Sequence, residues 1–201
     1  MARFSRAELE AFYGVTVPNL AGPNMRLLFV GINPGLWTAA VQAHFARRGN
    51  RFYPALHRAG IIERVIDPAS GMTDDDRAYL IARGIGISNL VPRATARADE
   101  LTAAELRAGV VHLRELVVRE RPRVVAVAGV TAYRLAFDRP KARPGRQPED
   151  FAAAELWVVP NPSGLNAHES VASLAQAYAR AARAAGVICL ISRGARRCRR
   201  R

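Results

Sequence analysis

Four short and almost continuous apolar runs constrain the fold of this 201-residue chain more than any other feature. Each run has the length of a β-strand, and unbroken apolar character is typical of strands buried on both faces of a parallel sheet. Gly31 follows the first run and Pro160 follows the last, and both residue types interrupt strands. We therefore predict strands at residues 27–30, 85–91, 124–128 and 156–159.

Helical patterns separate these strands. Thr102 and Glu105 have the spacing of a capping box, and apolar residues then recur at helical intervals as far as Pro122. Asn50 and Thr73 are further candidate N-caps. Alternating strands and helices predict an α/β fold, a three-layer α/β/α sandwich with a central, mostly parallel, four-stranded sheet. The predicted helices cover residues 6–13, 51–59, 73–83, 102–121, 131–137 and 170–185, with loops after the first strand and over 139–150.

The length fits one domain, and no linker or internal repeat divides the chain. We predict a lead-in over residues 1–25, a single domain over 26–191 and a disordered arginine-rich tail over 192–201. The net charge is +13, and six of the arginines lie in the last nine residues. Such a charge indicates a polyanionic partner. The tail is either a non-specific nucleic-acid arm or an extension with no selected role.

Composition excludes several classes of protein. No apolar run approaches the roughly 20 residues that a membrane span needs, and no N-terminal signal pattern is present. Two cysteines are too few for a disulfide framework or for a four-cysteine zinc or iron–sulfur site. Histidines, cysteines and carboxylates nowhere show metal-ligand spacing, so we expect neither a metal nor a cofactor.

Two unusual loops follow predicted strands. Residues 31–36 (Gly-Ile-Asn-Pro-Gly-Leu) follow the first strand, and residues 161–168 (Asn-Pro-Ser-Gly-Leu-Asn-Ala-His) follow the last. Each Asn-Pro taken alone indicates only a turn, but both lie where an α/β fold places its site, at the carboxyl ends of strands. Neither loop matches a P-loop or a dinucleotide fingerprint, and Ser163 lacks the frame of a nucleophile elbow.

The two loops resemble the paired signature motifs of the mismatch-specific uracil-DNA and thymine-DNA glycosylases. The resemblance extends through residues 49–53, 84–91 and 105–109 and covers roughly residues 26–186. The main uracil-glycosylase family carries Asp-Pro in the first motif and a histidine at the start of the second. The single-strand-selective family has Asn-Pro in the first motif but keeps that histidine. Asn161 occupies that histidine position here, which favours the mismatch-specific branch. The cysteine count excludes the thermophilic iron–sulfur glycosylases.

The resemblance assigns a role to each motif residue. Asn33 would position the attacking water, and because an amide takes no proton at neutral pH it would not act as a base. Phe45 would stack on the flipped base, or else be an ordinary core residue, and Thr38 would lie near position 5 of the base. Backbone groups of Ile32 and Phe45 would bind the uracil edge. The implied substrate-binding residues are Gly31, Ile32, Pro34, Gly35, Thr38, His44, Phe45, Asn89, Asn161 and Ser163.

Residues 164–167 match the wedge that fills the hole left by a flipped nucleotide. Gly164 and Leu165 agree with the family pattern. In the bacterial prototype an arginine lies two residues beyond the leucine and contacts the opposite guanine, whereas here Ala167 occupies that place. His44 is expected at the rim of the pocket.

We therefore expect a monofunctional glycosylase that removes uracil, with thymine or other damaged pyrimidines as further substrates, from mispaired double-stranded DNA. Lys141 is the only lysine and lies outside both motifs, which argues against a Schiff-base mechanism. The alternative is a non-catalytic nucleic-acid-binding module that senses extruded bases. We expect a monomer that acts in the bacterial cytoplasm, bound to the nucleoid through DNA, and not at a membrane.

Overall fold

The computed structural model describes residues 4–188, in which a five-stranded sheet has the order β2-β1-β3-β5-β4. The four predicted strands are present and parallel to one another. The prediction of four strands in total was wrong, because a two-residue strand inside the predicted 139–150 loop pairs antiparallel with β5 at the sheet edge. This strand lacks an apolar run, so only the pairing reveals it. The strands are β1 Leu27–Gly31, β2 Ile85–Asn89, β3 Val124–Ala128, β4 Gly145–Arg146 and β5 Glu155–Val159.

The helices follow the predicted pattern with one addition. Thr73 and Thr102 are N-caps as predicted, and Thr102 forms the capping box with Glu105. The prediction of Asn50 as an N-cap was wrong, because the helix over Phe52–Arg58 has Arg51 in that place. A short helix, α2, begins at Leu36, where a loop was predicted. The helices are α1 Arg6–Glu10, α2 Leu36–Val41, α3 Phe52–Arg58, α4 Asp74–Ala82, α5 Ala103–Glu120, α6 Val130–Ala136 and α7 Val171–Ala184, with a 3-10 turn at Ala98–Glu100.

Two hydrophobic cores cover the two faces of the sheet. Leu27 and Phe29 point to one face, where they pack with residues of α3 and α7 such as Tyr178. Leu28 and Val30 point to the other face and pack with residues of α5 and α6. Because side chains alternate along a strand, an unbroken apolar run supplies both cores. The chain is thus a three-layer α/β/α sandwich.

The register brings the strand ends together. Gly31 at the end of β1 lies opposite Asn89 at the end of β2. The predicted β2 extended to Val91, but the backbone N–H of Val91 donates to Ile32 O (2.9 Å), beyond the last ladder pair. The loops after β1 and β2 therefore run side by side at the carboxyl edge of the sheet.

Part of the predicted lead-in packs against this sheet. Leu20 and Ile87 exchange two backbone hydrogen bonds of 2.9 and 2.8 Å, which places the lead-in beside β2. Residues 189–201, which hold the end of the predicted domain and the predicted tail, lie outside the described residues. Within residues 4–188, no helix has both the length and the apolar character required to cross a membrane.

Candidate active site

A cavity of about 640 Å³ opens at the carboxyl ends of β1, β2 and β5. The loops after these strands and the segment between α2 and α3 form its walls. Leu165 of the predicted wedge also lines the cavity, whereas Gly164 and Ala167 are exposed on the same loop and do not line it. The cavity brings together every predicted catalytic and substrate-binding residue: Gly31, Ile32, Asn33, Pro34, Gly35, Thr38, His44, Phe45, Asn89, Asn161 and Ser163.

The side-chain amide of Asn33 is held from one side only. Its Nδ2 lies 2.7 Å from Thr95 Oγ1 and 3.0 Å from the Pro34 carbonyl oxygen. A third acceptor, the Arg93 carbonyl oxygen, lies at 3.2 Å. Among residues 4–188 no donor bonds the Asn33 Oδ1, and this atom is not sealed from solvent. The amide therefore offers a single fixed acceptor to the cavity.

Thr95 is the partner of Asn33 that sequence reasoning missed. It is buried in the loop after β2, and its hydroxyl donates to the Arg97 carbonyl oxygen (2.7 Å). With its own hydrogen used in this way, Thr95 Oγ1 acts as an acceptor towards Asn33. The loop after β2 has no Asn-Pro motif to mark it. Its position at the end of a strand adjacent to β1 was the available signal.

Phe45 presents an aromatic ring to the cavity. Its other face stacks on Phe52 of α3, with ring centroids 4.0 Å apart and an interplanar angle of 23°. The backbone of Phe45 is left-handed (φ 57°), a conformation that is strained for a bulky residue. Its backbone N–H has no acceptor among the described residues. The turn therefore supplies both a stacking surface and an unused donor.

The buried His44 and the half-buried Asn89 are hydrogen-bonded to each other in the wall. His44 is 4% exposed, so it is buried and does not lie at the rim as expected. Its Nε2 lies 2.9 Å from the carbonyl oxygen of Pro18, which only accepts, so Nε2 carries the hydrogen. Nδ1 then accepts from Asn89 Nδ2 at 3.3 Å.

Burial lowers the pKa of His44 to about 4, although the Pro18 carbonyl acts in the opposite direction. The ring is consequently neutral at physiological pH and keeps this tautomer. Asn89 Nδ2 is thereby turned towards His44, which leaves Oδ1 beside Gly31. A Cβ atom at Gly31 would lie 2.5 Å from this oxygen, so any other residue there would displace the Asn89 amide.

The loop after β5 is shaped by its own side chains. Asn161 Oδ1 accepts from the Ser163 backbone N–H (3.0 Å), and the Ser163 hydroxyl accepts from the Leu165 backbone N–H (3.3 Å). The Asn161 carbonyl oxygen accepts from Asn166 Nδ2 at 3.2 Å. These bonds leave Leu165 75% exposed at the mouth of the cavity. Residues 163–169 are called the wedge loop below.

Two arginines of the loop after β2 are neutralised by carboxylates. Arg93 Nε lies 2.6 Å from Glu105 Oε1, and this contact together with the bonds from Thr102 holds the pKa of Glu105 at about 2. The pair ties the loop that carries Thr95 to the start of α5. Arg97 forms a two-pronged contact with Asp99 at the cavity mouth (3.0 and 2.5 Å).

Neither a metal centre nor a lysine nucleophile is assembled in the described part of the chain. Residues 4–188 contain no group of histidine, cysteine and carboxylate side chains that is able to hold a metal ion. Lys141 is exposed in the loop before β4 and does not line the cavity. The polar groups of the cavity are amides, hydroxyls, backbone groups and the His44 imidazole, with Arg47 and the Arg97–Asp99 pair as its charged side chains.

A model of the uracil DNA glycosylase superfamily matches residues 18–183. Among solved structures, the fold is similar to the solution NMR structure of a "putative Uracil DNA glycosylase" from Methanosarcina acetivorans, with a TM-score of 0.52. The two chains are 14% identical, and the match covers 82% of this chain and 98% of that one. At this identity the likeness describes the fold.

Proposed function

Because the chain belongs to the uracil DNA glycosylase superfamily, we propose that it hydrolyses the N-glycosidic bond of uracil in mispaired double-stranded DNA. The reaction releases the free base and starts base excision repair. The observation that carries this proposal is the amide of Asn33, which is fixed through Nδ2 and leaves Oδ1 open to the cavity. Uracil is the main substrate, and thymine or other damaged pyrimidines are further substrates.

The water-binding step follows from this geometry. Asn33 Oδ1 accepts a hydrogen bond from a water molecule and aims its lone pair at the sugar carbon. The amide does not take the proton, so the water attacks a sugar that has already become oxocarbenium-like. After attack the water loses its proton to bulk solvent, and the departing uracil anion takes a proton from solvent, so the products are the neutral base and the sugar hydroxyl. Turnover is consequently slower than in an enzyme that has a carboxylate in this place.

The leaving base carries negative charge, which unpaired donors stabilise best in a pocket that excludes water. The backbone N–H of Phe45 is such a donor, and the Phe45 ring covers the base. Asn89 Oδ1, oriented by His44, accepts from the N3–H of uracil, a group that cytosine lacks. Thr38 is buried in the same wall and limits the space at position 5.

Access to the base requires that the nucleotide leave the duplex. Leu165 on the wedge loop supplies an apolar side chain to fill the vacated space. Next to it, Ala167 is too short to contact the opposite base. Selection for mispairs therefore rests on the ease with which a weakly paired base is extruded.

Single-turnover release of uracil from a G·U duplex tests the proposal, with A·U, G·T and single-stranded substrates in parallel. Asn33→Ala should bind DNA as the wild type does and slow release at least about a hundredfold. Wild-type rates in Asn33→Ala would show that Asn33 does not carry the chemistry. No release by the wild-type protein from any substrate would favour the alternative, a non-catalytic base-sensing module.

The monofunctional mechanism has its own control. Lys141→Ala should leave the release rate unchanged, because this lysine lies outside the cavity. Borohydride should trap no covalent protein–DNA adduct in either protein. A trapped adduct would contradict direct attack by water.

A further inference from the structure

The side chain of Arg51 lies under the wedge loop and binds its backbone. Its guanidinium donates to the carbonyl oxygens of Ser163 (2.5 Å) and Asn166 (2.7 Å) and, through the other terminal nitrogen, to that of Glu169. These acceptors span the wedge loop from its first residue to its last. One cation therefore fixes the curvature of the whole loop.

Backbone contacts connect the same two segments. The Arg51 N–H donates to the Pro162 carbonyl oxygen at 3.0 Å, just before the wedge loop. A Cβ atom at Gly164 would lie 2.8 Å from the carbonyl oxygen of Gly49, so the two chains touch with no room for a side chain. The wedge loop thus rests directly on residues 49–51.

The support under Arg51 also carries the base pocket. Arg51 is the N-cap residue of α3, and the next residue, Phe52, is fully buried. Phe52 stacks on Phe45, the ring that lines the cavity. The wedge and the stacking ring are therefore positioned by adjacent residues of one rigid segment.

The bonding of Arg51 is unusual for a cation. No carboxylate of the described residues forms an ion pair with it, and its Nε is buried without a partner. Arg51 is half-buried, and burying its Nε–H without an acceptor costs free energy. Fixing the loop is the one gain that its contacts show.

We propose that Arg51 is a positioning residue that holds the wedge loop in its inserting conformation before DNA binds. The inference rests on the proposed function, since it concerns how Leu165 enters the duplex. A wedge that is already ordered avoids the entropy cost of ordering a loop during base extrusion.

Hydrogen exchange of the DNA-free protein tests the first half of this inference. Arg51→Met should increase amide exchange in residues 163–169 about tenfold or more, the effect of losing charge-assisted hydrogen bonds. Arg51→Lys, which keeps the cation, should show an intermediate increase. Arg134→Met is the matched control, because Arg134 holds the Ala142 carbonyl in a distant loop. Unchanged exchange in Arg51→Met would overturn the inference whether or not the protein is an enzyme.

A double-mutant cycle tests the second half. Arg51→Met should lower single-turnover release from duplex DNA about tenfold and leave release from single strands nearly unchanged. In the Leu165→Ala background, Arg51→Met should lower the release rate on duplex DNA little further, since both changes impair the same wedge. An equal loss on both substrates, or fully multiplicative losses on duplex, would show a general structural defect and overturn the inference. If the wild-type protein releases no uracil, the proposed function fails, and the exchange experiment still decides the role of Arg51.

Discussion

The amide of Asn33 is oriented by partners that lie about sixty residues away in the sequence. A side chain that cannot exchange protons with water at neutral pH contributes only through its position. In the proposed mechanism its contribution therefore depends on Thr95, which is itself held by the Arg97 carbonyl. The Asn-Pro motif makes Asn33 recognisable from the sequence. No motif marks Thr95, and its position after a predicted strand becomes informative only once β1 is known to pair with β2.

His44 gives the fold a specific sensitivity to acid. Its pKa is about 4 in the folded protein and about 6.5 in an unfolded chain. The unfolded state therefore takes up the proton first as the pH falls, so stability from this group is complete above pH 6.5 and is lost between pH 6.5 and 4. Between pH 7 and 5 the free energy of unfolding should decrease by about 2 kcal/mol from His44 alone.

Denaturant unfolding at the two pH values measures this loss. In His44→Gln, whose amide is able to bond both Pro18 and Asn89, the decrease should be smaller than in the wild type by that amount. His112→Gln, a change at an exposed helical residue, should keep the wild-type decrease. If the free energy of unfolding decreased equally between pH 7 and 5 in His44→Gln and in the wild type, the buried, neutral state of His44 would be contradicted.

At the scale of elements, α5 is fitted closely to the end of β2. Gly109 lies inside this helix, and a Cβ there would collide with the backbone of Leu90, just past β2. The helix and the loop that carries Thr95 are also joined by the Arg93–Glu105 pair. Gly109 and Glu105 fall in one of the segments that carry the family resemblance, and the structure gives each a packing role.

Gly109→Ala reverses the usual effect of removing a helical glycine. Helix propensity alone would stabilise the protein by about 1 kcal/mol. Overpacking against Leu90 should instead destabilise it by about 1–3 kcal/mol. Ala108→Gly, at the exposed neighbouring position, should cost about 1 kcal/mol through propensity only. Thermal or denaturant unfolding of both variants compares the two effects, and a more stable Gly109→Ala would show that the helix is free to move.

Elements that bury apolar side chains were predictable, and elements fixed by contacts were not. The runs at β1 and β3 are apolar at nearly every position, so burial on both faces determines them. β4 consists of Gly145 and Arg146 and exists only because β5 offers an edge. The same distinction separates Asn33, found through its motif, from Arg51, whose partners are carbonyls of a distant loop.

At the scale of the whole molecule, charge and chemistry are separate. The net charge of +13 attracts DNA, whereas the predicted catalytic group is neutral. Two arginines near the cavity, Arg93 and Arg97, are paired with carboxylates. Arg47, which also lines the cavity, forms no ion pair among the described residues. In the proposed function the duplex is therefore attracted by Arg47 and by cations elsewhere, including the six arginines of residues 193–201.

Removing residues 193–201 takes six positive charges from +13 and leaves +7. We expect weaker DNA binding and a dependence of log Kd on log salt that is shallower by up to about 5, since each lost phosphate contact contributes about 0.9. Single-turnover release at saturating protein should be unchanged. Replacing the six arginines with lysine should keep the wild-type slope of log Kd against log salt. Replacing them with glutamine should reduce that slope as much as the deletion does. A reduced release rate at saturation would place the tail in the reaction itself.

The order of the strands has a consequence for biosynthesis. The wedge loop follows β5, which joins the sheet through β3 and lies late in the chain. A nascent chain emerging from the ribosome therefore exposes Asn33, Phe45 and Thr95 long before Leu165 has been made. Asn161 and Ser163, which line the cavity, also follow β5, so the complete cavity and the wedge loop form only after β5 has been synthesised and has paired with β3.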